Sequence, residues 1–109
     1  MPLIVSEIPL SEASAETFSN VLKANPDLAR AFAKAAESGD GRLFQGIFNA
    51  KPVALLRVIS DPLIAGESAW RLSELVVHPA TRKRGVGKEM VRQAGALLAP
   101  ATLDSGPRW

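Results

Sequence analysis

The residues best placed to do chemistry fall in one run, Arg82-Lys83-Arg84-Gly85-Val86-Gly87-Lys88, which follows the apolar stretch Leu75-Val76-Val77 and the break at His78-Pro79. Glycine has no Cβ, so the backbone at 85 and 87 can come close to a bulky anion and take positive φ at little cost. The apolar spacing after Gly85 predicts a helix, whose first amides have no partners inside the helix and whose dipole favours negative charge. Arg82, Lys83 and Arg84 add cations, and an arginine fork grips phosphate oxygens in pairs. Strand, basic glycine turn and helix, in that order, suit a diphosphate. The plainer alternative is a basic surface turn that merely joins a strand to a helix.

Two titratable groups stand beside this run. Glu74 sits on the strand leading into it, where a carboxylate could serve as a general base. If residues 61–68 loop back between two antiparallel strands, Arg57 falls next to Glu74, and an ordinary cross-strand ion pair is the competing expectation. His78, at the strand exit, belongs to the one residue type that in general titrates near neutral pH and can shuttle protons; a solvated turn residue is its commoner role.

Composition narrows the class. A chain of 109 residues, 47% hydrophobic and 22% charged, suits one globular domain with a modest core. No apolar run approaches the ~20 residues of a membrane span, and the start lacks a secretory pattern, so a cytoplasmic protein without a membrane role is expected. The absence of cysteine excludes disulfides and thiol chemistry and fits a reducing compartment. One histidine leaves little material for a metal site, and none is expected. A net charge of +2 does not argue for nucleic acid. The cations at 82–84 have no exposed aromatics beside them to stack bases, so a nucleic-acid partner is not expected either.

The elements that must position the basic run follow from periodicity. Pro2 to Ile8 reads as a first strand closed by Pro9. Residues 11–24 predict a short helix with Phe18, Val21 and Leu22 on one stripe. Asn25-Pro26-Asp27 predicts a second helix start, with Asn25 as cap and Leu28, Ala31, Phe32 and Ala35 inward; Gly39-Asp40-Gly41 ends it. Arg42 to Asn49 and Val53 to Ser60 read as an antiparallel hairpin turned at Asn49-Ala50-Lys51-Pro52. Trp70 to Val77 is the next strand. The helix from Val86 to Ala99 should carry Met90, Val91, Ala94, Leu97 and Leu98 inward and Lys88, Glu89, Arg92 and Gln93 outward, with Pro100 stopping it.

The spacing Arg82-x-x-Gly85-x-Gly87, after a strand that leaves through a proline, resembles the pyrophosphate loop of the Gcn5-related N-acetyltransferase (GNAT) superfamily. The likeness is closest from Leu72 to Leu98. The element order, strand, two helices, three antiparallel strands and helix, is similar to the first half of the GNAT fold and extends the likeness to nearly the whole chain. It implies an α+β (α/β) fold with a mixed, mostly antiparallel sheet flanked by helices, order β-α-α-β-β-β-α. The family continues with a strand, a helix and two more strands, whereas only residues 101–109 follow here. The C-terminal half of the fold is therefore expected to be missing, leaving a single truncated acyl-CoA-binding domain over residues 1–109. The run from Phe48 to Val58, taken with Arg82 to Gly87, is most similar to the small acetyl-CoA sensor branch, which includes the maturation factor of aspartate decarboxylase.

The resemblance implies acetyl-CoA as cosubstrate and no metal. Its diphosphate would lie on Arg82, Lys83, Arg84, Gly85, Val86, Gly87 and Lys88, and its pantetheine arm along the backbone of Leu75, Val76 and Val77. Glu74 would be the base that frees the acceptor amine, with His78 the weaker candidate. The acid that protonates the leaving thiolate is often a tyrosine of the second half. This sequence has no tyrosine, which leaves water, Ser105 or another chain. Two functions are compatible with these residues: an N-acetyltransferase acting on an amine, and a non-catalytic acetyl-CoA sensor acting on a protein partner. An open sheet edge predicts a homodimer, and a terminal Trp109 would pack across its interface.

Overall fold

The computed structural model describes residues 3–14, 18–23, 25–39, 41–60, 69–78, 85–98 and 102–104, without the side chains at 13, 14, 19, 20, 69, 102 and 104. The loop 61–68, the basic triplet Arg82, Lys83 and Arg84, and Pro2, Pro100, Ser105 and Trp109 lie outside them. The elements in order are β1 (Ile4–Ile8), a 3-10 segment (Leu10–Ser14), α1 (Ser19–Leu22), α2 (Pro26–Ser38), β2 (Arg42–Phe48), β3 (Lys51–Ser60), β4 (Ala69–Val77), α3 (Val86–Leu98) and β5 (Thr102–Asp104). They form one sheet in the order β1-β2-β3-β4-β5, antiparallel throughout except for the parallel pair β4–β5. This is the expected α+β order with one short strand added after α3. Among the described residues no helix is long and apolar enough to cross a membrane.

Each face of the sheet carries its own core. On one side Met90, Ala94 and Leu98 of α3 press onto Val5, Phe44, Ala54, Leu56 and Val58. On the other, Phe18, Val21, Leu22 and Phe32 from the α1–α2 side cover Leu43, Leu55 and Val76. Strand alternation explains the division, since Leu43 and Phe44, or Leu55 and Leu56, are neighbours that point to opposite faces. Burying an aliphatic or aromatic side chain in this way stabilises by roughly 1.5–3 kcal/mol each.

Local chemistry sets the ends of the elements. α2 starts at Pro26 with Asn25 in the cap position, although the Asn25 side chain makes no capping bond; it ends at Gly39, whose φ of 70° lets its N–H donate to the Ala35 carbonyl at 2.9 Å. The expected single helix over 11–24 is instead the 3-10 segment and the short α1. Ser11 and Ser14 lie in the 3-10 segment, and serine competes with helix formation through its own hydroxyl. The buried stripe of Phe18, Val21 and Leu22 is nonetheless as expected. The hairpin turns on Asn49 and Ala50, with φ of 50° and 61°, the doubly positive pattern whose twist matches that of the strands.

The stripe of α3 is centred on Ala94. Gly95, on one flank, faces Leu103 of β5. Gln93, on the other flank, reaches β1 and does not face solvent as expected: its Oε1 accepts from the Val5 amide at 3.2 Å and its Nε2 donates to the Leu3 carbonyl at 2.8 Å. Leu97 lies on this same β1 flank, at the margin of the stripe, and is left 49% exposed.

Candidate functional site

β4 carries a bulge that decides what its residues can do. The register changes between Arg57, opposite Glu74, and Val58, opposite Leu72, so Ser73 has no partner of its own in β3. Before the bulge Trp70 and Leu72 point to the α3 side; after it Leu75 and Val77 do. Adjacent strand residues normally face opposite ways, but the extra residue lets Ser73 and Glu74 share a face. That face is the α1–α2 side, where Arg57 lies between Leu43 on β2 and Glu74 on β4.

The three polar side chains bond to one another. Arg57 Nε donates to Glu74 Oε1 at 2.5 Å, and its Nη2 donates to Glu74 Oε2 and to Ser73 Oγ, each at 3.0 Å. Ser73 Oγ in turn donates to Glu74 Oε2. The Arg57 and Glu74 side chains are only 11% and 14% exposed. The cross-strand pair anticipated from the sequence is therefore present, and the Glu74 carboxylate accepts three hydrogen bonds from neighbouring protein groups. Ser73 was not legible beforehand, because nothing in the sequence marks the bulge that turns it toward Glu74.

The backbone direction of β4 follows from one bond. The His78 amide donates to the Val53 carbonyl at 2.7 Å. Bonded and non-bonded pairs alternate in an antiparallel ladder. Val76 with Leu55 and Glu74 with Arg57 therefore bond toward β3, and Leu75 and Val77 turn their backbone groups to the β5 side. Among the described residues, β5 pairs with Ala69, Trp70 and Arg71 of β4. Of the three residues expected to hold a pantetheine arm, Leu75 and Val77 thus turn their backbone groups away from β3, while the backbone of Val76 is committed to the sheet and its side chain is buried.

The start of α3 is the second half of the site. Gly85 has φ of 77° and no atom beyond its chain neighbours within 4 Å of where a Cβ would stand. Its carbonyl accepts from the Glu89 amide at 3.0 Å, which opens the helix and leaves the amides of Val86, Gly87 and Lys88 without carbonyl partners inside it. Gly85 and Lys88 are exposed, and Val86 and Gly87 are half-buried. The one acid of the first turn, Glu89, is drawn sideways along the helix: Arg92 donates to it at 2.8 and 2.5 Å and Gln93 at 2.8 Å. The Arg92 guanidinium, with help from Gln93, holds the Glu89 carboxyl down to about 2. A cluster of positive backbone dipoles thus stands at the start of α3, which follows β4 in the order expected from the sequence.

Solved acetyltransferases share this fold. The fold is similar to that of a ribosomal-protein-alanine N-acetyltransferase from Brucella melitensis biovar Abortus, with a TM-score of 0.67 and 15% identity over 98% of this chain and 82% of that one. A GNAT family acetyltransferase of Staphylococcus aureus is similar at a TM-score of 0.64 and 21% identity, over 99% of this chain and 90% of that one. The architecture is therefore that of a GNAT domain. The family described as acetyltransferase (GNAT) domain, PanZ, matches residues 5–99, and the chain belongs to it. A mycothiol acetyltransferase of Mycobacteroides abscessus is 46% identical over 41 residues, which amount to 38% of this chain and 14% of that protein's length.

Proposed function

We propose that this domain binds acetyl-CoA along β4 and at the start of α3, and passes the acetyl group to an amine. The observation that carries the reading is Gly85 at φ of 77°, exposed, opening a helix whose first amides have no internal partners. The diphosphate would be held by the amides of Val86, Gly87 and Lys88 and by the side chains of Arg82, Lys83 and Arg84. The outward backbone groups of Leu75 would align a pantetheine amide as a neighbouring strand would. The acceptor nitrogen attacks the thioester carbonyl, the C–S bond breaks, and the thiolate takes up a proton as the amine loses one. His78, at the end of β4, is a candidate to receive the amine proton, and Glu74 another if substrate draws it from Arg57. Calorimetric titration with acetyl-CoA tests the site. Binding should be lost in Arg82→Ala and in Gly87→Glu, and absence of binding by the parent protein refutes the proposal.

A second reading, a non-catalytic acetyl-CoA sensor that acts on a protein partner, is favoured by the Arg57–Glu74 cluster. Both carboxylate oxygens of Glu74 are engaged by protein donors, which leaves an amine little room to bond there. Turnover against a panel of amines supports the enzyme, whereas a partner retained only with acetyl-CoA present supports the sensor. We place either activity in the cytoplasm and in a homodimer. Light scattering that shows a monomer at micromolar concentration removes the dimer.

A further inference from the structure

We infer that Gln93 closes the free edge of the sheet by standing in for a neighbouring strand. Among the described residues β1 has a single strand neighbour, β2, so its other side is an edge. The Val5 amide bonds to Gln93 and not to its β2 partner Gly46, which makes that pair the non-bonded kind and turns the backbone groups of Leu3, Val5 and Glu7 outward. A parallel strand would satisfy such an edge with the N–H and C=O of one residue, donating to the carbonyl of residue i and accepting from the amide of residue i+2. The Gln93 carboxamide does the same, donating to Leu3 at 2.8 Å and accepting from Val5 at 3.2 Å.

The carboxamide is held in that orientation. Its second N–H donates to Glu89 Oε2 at 2.8 Å, and Glu89 is gripped by Arg92 from the next turn. The nitrogen faces two acceptors and the oxygen faces a donor, so a flipped amide would lose all three bonds. An exposed strand edge is a template for pairing with another chain, and sheets commonly protect it with charge, proline or a covering element. Here a helix side chain takes the two outward positions ahead of Glu7, and Pro9 has no amide to offer. What is left is too short to pair. The occupant kept out is β1 of a second copy, whose approach would also cover Ile4, 61% exposed. The inference does not depend on acetyl-CoA binding, and it leaves any native dimer to another surface.

Amide hydrogen exchange on the parent protein is the first test. The Val5 amide should exchange as slowly as those of Ile4 and Ser6, which bond to β2; exchange as fast as the outward amide of Glu7 overturns the inference. In Gln93→Leu, Val5 should exchange about fivefold faster or more, the weight of one net hydrogen bond, and an unchanged rate again overturns it. Light scattering over a dilution series should show Gln93→Leu rising above the parent's mass, and adding Ile4→Lys should bring it back. A mass equal to the parent's throughout, or a rise that Ile4→Lys leaves in place, overturns the role of Gln93 in closing the edge.

Discussion

Replacing Arg57 by Met should unsettle this protein more than a typical change at a half-buried position. The substitution keeps most of the side chain's length and removes the guanidinium, leaving the Glu74 carboxylate, 14% exposed, with the Ser73 hydroxyl as donor. Breaking a buried ion pair from one side costs about 3–5 kcal/mol, and the residual access of water to Glu74 points to the lower end, about 3 kcal/mol. Total stability for a domain of this kind is about 5–15 kcal/mol, and roughly 4 °C of melting temperature goes with each kcal/mol, so a fall of roughly 10–15 °C is expected. Glu74→Leu alone should cost a similar amount by stranding the guanidinium. The double variant Arg57→Met, Glu74→Leu restores an apolar face beside Leu43 and Leu55 and should come within about 1 kcal/mol of the parent. Urea unfolding of the four proteins, with the slopes checked for equality, closes the cycle. A single variant within about 1 kcal/mol of the parent, or a double variant as weak as the sum of the singles, refutes the idea that this pair is a closed structural unit. The same double variant bears on function: acetyl-CoA binding should survive in it, because the β4 backbone is untouched, and transfer should disappear only if Glu74 takes the proton.

Three further outcomes are expected. Ala50→Gly should stabilise the fold by about 0.5–1 kcal/mol, since a left-handed alanine costs about 1–2 kcal/mol and part of that is returned as extra freedom of the unfolded chain; calorimetric melting checks it. Gly85→Ala meets no clash but must hold φ of 77°, so it should lose about 1–2 kcal/mol and weaken acetyl-CoA binding, as read by denaturation and titration. Glu7 is held below the ordinary carboxylate range by Arg42, and Glu89 is held down to about 2 by Arg92 and Gln93. For both, the folded pKa lies below the unfolded one, so the contribution is complete above an ordinary carboxylate pKa and fades as pH falls through the folded value; for Glu89 the window runs from 4.5 to about 2. Glu7→Gln and Glu89→Gln should each flatten the acid limb of the stability curve.

Much of the fold was readable because its faces are simply patterned. Phe18, Val21 and Leu22 sit at helical spacing, and Leu43 and Phe44 divide between opposite cores as alternation requires. The turn into α3 was readable for a related reason: a glycine that must take positive φ before an amphipathic helix leaves a local mark, and Gly85 takes it. What was not readable depends on contacts distant in sequence. The bulge that turns Ser73 toward Arg57 comes from the register between two strands, which a single strand does not encode. Gln93 reads as a surface residue from its own helix, and only the arrival of β1, some 90 residues earlier in the chain, gives its amide a use. β5 has three residues, too few for a periodicity to be seen. The helix over 11–24 is broken because Ser11 and Ser14 compete with helix formation through their own hydroxyls, which apolar spacing alone does not register.

The unpaired residue in β4 also sets what this strand can tolerate when its length changes. Removing one residue elsewhere in the strand would invert every side chain beyond it, sending core leucines to water and charges inward. At position 73 alone the opposite holds. With Ser73 gone, Leu72 and Glu74 become neighbours on opposite faces, and Leu75, Val76 and Val77 keep the sides they already occupy. A shortened chain of that kind would keep its interior and lose the local kink, so the pairing of Ser73 with Glu74 on one face hangs on a single removable link.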